Sequence, residues 1–351
     1  MPINVQLLKA CCGVSGISGF EQKVRELIVN ELKEVISDLY TDNMGNLVAV
    51  LKGKSSEKKV MAAAHMDEIG FMVKAIDDQG FIRIQTIGGF DPKTLTAQRV
   101  IVHGKKDIIG VMGSKPIHIM TAEERAKPPQ ISDYFVDLGL PKEEVVKYVE
   151  IGTPITRWSD LIEMGDCINS KSVDNRVAVF VLLETLKELK GKEIPYDFYG
   201  VFTVQEEVGL RGVHVAAHHI DPDFSLCIDT TIAFDTPGAK PEEMVTKLGD
   251  GVGIKIMDGG VICDYRMVQF MKQQAEATKI KYQMEILPAG GTDTAGMQRM
   301  AKNGTIAGAV SIPTRHIHSH IEMANKHDIR GNIDLMKACL QNLDKYDWSF
   351  K

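Results

Sequence analysis

The sequence predicts an α/β fold: a mostly parallel mixed sheet with helices on both faces, interrupted by a small β-barrel insertion. Three observations carry this. From Asp174 onward, apolar runs of strand length alternate with amphipathic helical stretches, the signature of a largely parallel sheet covered by helices. Between about 69 and 167 that rhythm gives way to short alternating segments punctuated by turn residues, as in a small barrel or sandwich. The chain has 351 residues, long enough for one large domain that carries an inserted one. The expected division is 1–68 and 168–351 for the main domain and 69–167 for the insertion.

The elements follow in order. Ser18 and Glu21 have the spacing of a capping box ahead of a helix whose apolar positions are Val24, Leu27, Ile28, Leu32 and Val35. Residues 46–51 read as a strand, 53–56 as a turn and 59–64 as a strongly apolar strand. Phe71, Val73 and Ala75 alternate, 77–80 turn, and 81–84 alternate again. Segments 98–103 and 107–112 form a second apparent hairpin around Gly104. The stretch 114–135, broken by Pro128-Pro129, reads as a long loop. Then come helix 177–189, strand 196–204, helix 212–219, strand 224–228, helix 265–278, strand 281–286, helix 294–302, strand 305–311 and a terminal helix near 326–345.

Bulk properties narrow the function. A net charge of −6 argues against a nucleic-acid binder. No apolar run approaches the ~20 residues that span a bilayer. The opening MPINVQLLKACCG lacks the pattern of a secretory signal. The six cysteines include no CxxC pair, so free thiols in a reducing cytoplasm are expected. Nucleic acid and membrane are not expected as partners. Phosphate-loop, dinucleotide and nucleophile-elbow patterns each lack a residue that their mechanics require, and there is no HExxH.

What remains is a set of acids and histidines at strand ends. His65 and Asp67 follow the strand at 59–64. Glu206 and Glu207 follow 196–204. Asp229 follows 224–228. His316 and His318 follow 305–311, and Asp174 precedes an apolar helix. The carboxyl ends of parallel strands face one crevice, where ligands bind. Charges there are costly unless paired or metal-bound. Carboxylate oxygen and imidazole nitrogen suit zinc and its neighbours, and two ions ~3.5–4 Å apart need a shared carboxylate with separate ligands on either side. Taken singly, each residue has a plainer reading. Asp174 reads as an N-cap, Asp229 as a turn residue, the glutamates as a solvated pair and His65 as a hydrogen-bonded core histidine. Their joint occurrence at strand ends is what points to a dinuclear metal site.

The motifs AAHMDEIGF, KSVDNR, VQEEVGLRG, IDTTIAFDTPG, GGTDTAG and SIPTRHIHSHIEM resemble, in order and spacing, the glutamyl/leucyl aminopeptidase family of dinuclear metallopeptidases, which includes the tetrahedral (TET) and deblocking aminopeptidases. The resemblance covers nearly the whole chain. It implies a zinc-exopeptidase-like main domain and a PDZ-like insertion that mediates dimerisation, with dimers assembling into dodecamers. It implies two divalent ions, zinc first and cobalt or manganese as alternatives. His65 and Asp229 would hold one ion, Glu207 and His318 the other, and Asp174 would bridge them. Asp67 would fix the tautomer of His65, and Glu206 would be the general base. Gly291, Thr292 and Asp293 are candidates for the substrate pocket, though a turn plus N-cap accounts for them equally well. His316 and His320 make the assignment of His318 less exclusive. The loop 114–135 would lie near a neighbouring active site. Two rival readings are a glycosidase, which would place two carboxylates across a glycosidic bond, and a non-enzymatic scaffold that binds peptide by strand addition.

Overall fold

The computed structural model describes residues 2–350. Helices α1 (Val5–Gly13) and α2 (Gln22–Leu32) lead into strands β1 (Asp38–Thr41), β2 (Leu47–Leu51) and β3 (Ser55–His65). In β3, Val60, Ala62 and Ala64 enter the larger core while Met61 and Ala63 enter a second core on the opposite face. A strand buried on both faces must be apolar at successive positions, which explains the unbroken run before His65. The strand begins earlier than expected. Ser55 pairs with Tyr196, so the turn shrinks to the residues just before it.

The capping box at Ser18 does not form. The N-cap of α2 is Glu21, with no side-chain cap bond. Ser18 Oγ instead donates to Asp67 Oδ2 at 2.6 Å, and Glu21 Oε1 accepts from the N–H of Gly19 and of Gln205. Long-range acceptors outcompete the local helix start. Helix α1 and strand β1 had no counterpart in the sequence reading.

The inserted region is a closed barrel. Its strands are β4 (Gly70–Ile76), β5 (Ile82–Ile87), β6 (Arg99–His103), β7 (Asp107–Gly113), β8 (Phe135–Asp137) and β9 (Pro154–Arg157), hydrogen-bonded in the order β4-β5-β8-β7-β6-β9. Alternate residues such as Phe71, Val73, Val100 and Val102 fill its interior, as the period-2 pleat dictates. Both hairpins read from the sequence are present. The stretch 114–135 is mostly irregular but holds helix α3 (Ala122–Ala126), started by a true capping box between Thr121 and Glu124. Helix α4 (Lys142–Tyr148) precedes β9.

The main sheet is completed by β10 (Ile162–Met164), β11 (Cys167–Ser170), α5 (Val173–Leu189), β12 (Tyr196–Thr203), α6 (Arg211–Ile220), β13 (Phe224–Ile232), β14 (Val252–Met257), α7 (Tyr265–Thr278), β15 (Tyr282–Ile286), α8 (Asp293–Met300), β16 (Ile306–Arg315), β17 (Glu322–Asn325) and α9 (Lys326–Asn342). The strand order is β1-β2-β12-β3-β13-β16-β17-β11-β10, and β14 joins β16 to β15. Parallel pairing holds the centre, β12-β3-β13-β16, and the β14–β15 pair. The flanks are antiparallel. Helices α1, α5 and α9 pack together on one face and α6 with α8 on the other.

Two further boundaries differ from expectation. Strand β13 runs on through Asp229 to Ile232, and β16 runs to Arg315. Among the described residues no helix is long and apolar enough to cross a membrane. All six cysteines are unpaired.

Candidate active site

The four central strands deliver their carboxyl ends side by side. His65 ends β3 and lies in register with Thr203 of β12. The loop after β12 supplies Glu206 and Glu207, β13 supplies Asp229, and the turn after β16 supplies His318. Asp174 comes from a break at the start of α5. Its φ and ψ (−75°, 109°) and those of Asn175 (−119°, 32°) are non-helical, so the regular helix starts only beyond Asn175, Asp174 is not its N-cap, and its side chain faces the other acids and imidazoles.

The geometry is compact. Asp174 Oδ1 lies 3.4 Å from His65 Nε2, and its Oδ2 lies 3.4 Å from His318 Nε2. Glu207 Oε2 is 3.4 Å from His318 Nε2. Asp229 Oδ1 and Glu206 Oε2 are 3.8 and 3.7 Å from His65 Nε2. Two sets of ligand atoms fall within 4.8 Å of one another: His65, Glu206 and Asp229, and His65, Asp174 and Glu207. The side chains of Glu206 and Glu207 are only 10% and 6% exposed. Burial, reinforced by neighbouring carboxylates, pushes the carboxyls of Glu206, Glu207 and Asp229 above their ordinary range. Glu207 Oε1 is buried with no hydrogen-bond partner. Crowded acids, an orphaned carboxylate oxygen and two imidazoles are the donor set that a divalent cation satisfies.

Asp67 organises this cluster from behind. His65 Nδ1 is 3.1 Å from its main-chain carbonyl and 3.4 Å from its carboxylate. The carboxylate also accepts the N–H of Glu206 at 3.0 Å and of Glu207 at 3.1 Å. One side chain therefore fixes the imidazole and the loop that carries both glutamates.

Glu68 points elsewhere. Lys171 Nζ approaches its oxygens at 2.9 and 3.0 Å, and it also accepts from Ser172 Oγ and Arg176 Nη2. Burial alone would raise its carboxyl, but Lys171 and Arg176 overrule burial and hold it at about 2. Arg176 donates in turn to the carbonyls of Met66, Cys11, Val14 and Gly16.

Two residues that sequence reasoning missed reach the site from the other side. Glu322 Oε2 accepts the N–H of Asp174 at 2.9 Å. Its Oε1 lies 3.4 Å from Arg157 Nη1, which also donates to the Ser319 carbonyl in the turn bearing His318. Glu322 stood within a quoted motif; Arg157, on a barrel strand, had no local signal.

The acids floor a cleft of about 730 Å³. Gly89, Phe90 and Asp91 of the barrel form part of its wall, as do Leu287 and Ala289 to Thr292. Gly291 and Thr292 are among the residues that line it. Asp293 does not: it is buried behind the wall, accepts from Thr203 Oγ1 at 2.5 Å, and burial raises its carboxyl to about 6. His316 is exposed, and His320 bonds the Arg99 carbonyl in the seam with the barrel. His318, by contrast, has Nε2 3.4 Å from both Asp174 and Glu207, which makes it the ligand candidate from this turn.

Comparison with known proteins places the chain in a family. The model of the M42 glutamyl aminopeptidase family, whose members depend on metal, matches residues 45–335. The lysyl aminopeptidase of Pyrococcus furiosus is 33% identical, over 99% of each chain. The structure of the aminopeptidase APDkam598 from the archaeon Desulfurococcus kamchatkensis superposes with a TM-score of 0.92 at 38% identity, covering 96% of this chain and 94% of that one. The TET1 peptidase of Pyrococcus horikoshii, which can assemble into a tetrahedron or a large octahedral shell, has a TM-score of 0.86 at 29% identity, with 96% and 98% covered. The chain belongs to the M42 glutamyl aminopeptidase family and is an aminopeptidase.

Proposed function

We propose that the chain removes the first residue of peptides with a free N-terminus by means of two divalent cations. His65 and Asp229 would hold one, Glu207 and His318 the other, and Asp174 would bridge them. The observation that carries this reading is the pose of Asp174, whose two oxygens each stand 3.4 Å from a different imidazole. Zinc fits the mixed nitrogen and oxygen donors, and cobalt or manganese would also be accepted.

When bound, such ions supply Lewis acidity that acidifies water and polarises the scissile carbonyl. The remaining work falls to the chain. Glu206 takes a proton from the attacking water at Oε2 and passes it to the leaving amine as the C–N bond breaks. Asp67 holds His65 and the backbone of Glu206 and Glu207 in place. The cleft wall at Gly291 and Thr292 bounds the substrate. A glycosidase would need two carboxyl groups on opposite sides of a bond, about 5–5.5 or 6.5–9.5 Å apart. Here acids consecutive in the chain gather around two imidazoles, for which that chemistry has no task.

The barrel, with residues 69–167 as its proposed extent, would serve dimerisation within a homo-oligomer, up to a dodecamer. Ile109 and Val111 on its outer surface and Ile162 and Met164 on the edge strand β10 are exposed apolar side chains, as an assembly surface requires. Unpaired thiols favour the cytoplasm as the site of action.

The test is a metal balance. Chelation should abolish cleavage of unblocked peptides, zinc or cobalt should restore it, and elemental analysis should return two ions per chain. N-acetylated peptides should survive. Cleavage that persists after chelation would refute the reading. Asp67→Ala should lower turnover or metal affinity about 10–100-fold, measured by steady-state kinetics and metal titration on folded protein.

A further inference from the structure

The cleft above the cluster carries information about the residue it accepts. Beyond the cluster, Phe90, Leu210, Ile232, Leu287, Ala289 and Ile317 supply the apolar side-chain walls, and three threonines also line it. Among the described residues, no lysine or arginine lines it. Phe90 is braced by stacking on Phe71 of the barrel core at 4.6 Å. Outside the cluster the one charged side chain is Asp91. It lies exposed at the mouth, where Oδ1 already accepts the N–H of Lys93.

These facts rank the three classes of N-terminal residue. An acidic side chain would meet apolar walls and no lysine or arginine to pair with, so its carboxylate would be desolvated without a partner from the chain. A basic side chain would place its charge against isoleucine and leucine walls, with Asp91 available only at the solvent edge. A large aliphatic side chain gains transfer free energy of about 25 cal/mol per Å² buried and leaves nothing unpaired. We infer that the enzyme selects large apolar N-terminal residues, leucine and methionine foremost, through the wall formed by Ile232, Leu287, Ala289 and Ile317. This deepens the aminopeptidase reading and rests on it.

Gly291 offers a direct handle. Its φ is outside the left-handed region, and a Cβ built there meets no atom within 4 Å. A side chain at this position extends into free space beside the wall without forcing the backbone.

The experiment uses the metal-loaded enzyme and the p-nitroanilides of leucine, methionine, lysine, arginine, glutamate and aspartate. The leucine and methionine substrates should exceed the basic pair about tenfold and the acidic pair about a hundredfold in kcat/KM, the scale on which pocket contacts discriminate. Gly291→Lys should cut the leucine rate at least about tenfold and raise the glutamate rate, inverting or compressing the ratio. Its circular dichroism and metal content should match wild type. Preference for a charged residue in the wild type, or an unchanged ratio in folded Gly291→Lys, would overturn this inference and leave the aminopeptidase intact. Failure to cleave any anilide or any unblocked peptide would overturn the aminopeptidase reading itself.

Discussion

Glu206→Gln is expected to lower kcat about 10²–10⁴-fold, the range for loss of a positioned general base, while KM and metal content stay near wild type. The substitution keeps the side chain's size. It also keeps the Glu206 N–H on Asp67 Oδ1, 3.0 Å away, so the loop and Glu207 should not move. What is lost is an oxygen that can take a proton. Steady-state kinetics with elemental analysis of the same sample provide the check. Glu206 also falls within one ligand grouping with His65 and Asp229. A variant that binds one ion fewer would show that this residue is a ligand, and the proton would then need another carrier.

The second large effect concerns stability. Glu68→Ala would leave Lys171 and Arg176 buried without their counter-ion; both are at most 2% exposed. Breaking a buried pair from one side costs about 3–5 kcal/mol, and chemical denaturation of the metal-loaded protein should show a loss of that order. Burial also pushes Lys171 below its usual range, so its desolvation offsets part of what the carboxylate contributes in the wild type. The pH dependence has a definite sign. The folded-state value of Glu68, about 2, lies below its ordinary value of 4.5. Its contribution is therefore full above pH 4.5 and fades as pH falls toward 2. The stability gap between wild type and Glu68→Gln should narrow across that window. A gap that stays constant would mean that the ion cluster is not what the substitution disturbs.

Much of the site was legible because its residues sit where the chain changes character. His65 closes a strand apolar on both faces, and the glutamates, Asp229 and His318 occupy comparable positions in neighbouring parallel strands. The residues alone suggested convergence, and the ordered motifs sharpened it to particular atoms. What could not be read is tertiary. Glu68 is adjacent to Asp67 in the chain, yet one pairs with Lys171 and Arg176 at the start of α5 and the other braces His65 and the loop of Glu206 and Glu207. The end of β13 was misplaced because Asp229-Thr230-Thr231 looks like a polar turn, although β-branched threonines suit a strand. Strand β14 had no counterpart in the sequence reading, and it carries a charge, Lys255, in an otherwise apolar run. That lysine is fully buried and paired with Glu285 at 2.5 Å. Ser18 and Glu21 spelled a helix cap, but acceptors and donors nearly fifty and two hundred residues away claimed them.

The barrel leaves the main sheet directly after Glu68 and returns before Asp174, and it contributes more than a surface. Phe90 walls the cleft, and Arg157 reaches the Ser319 carbonyl behind His318. Excising the insertion to obtain a smaller catalyst would strip the chamber of a side and release the turn that carries one of its imidazoles. A miniature enzyme without this module is therefore not a version of the same machine.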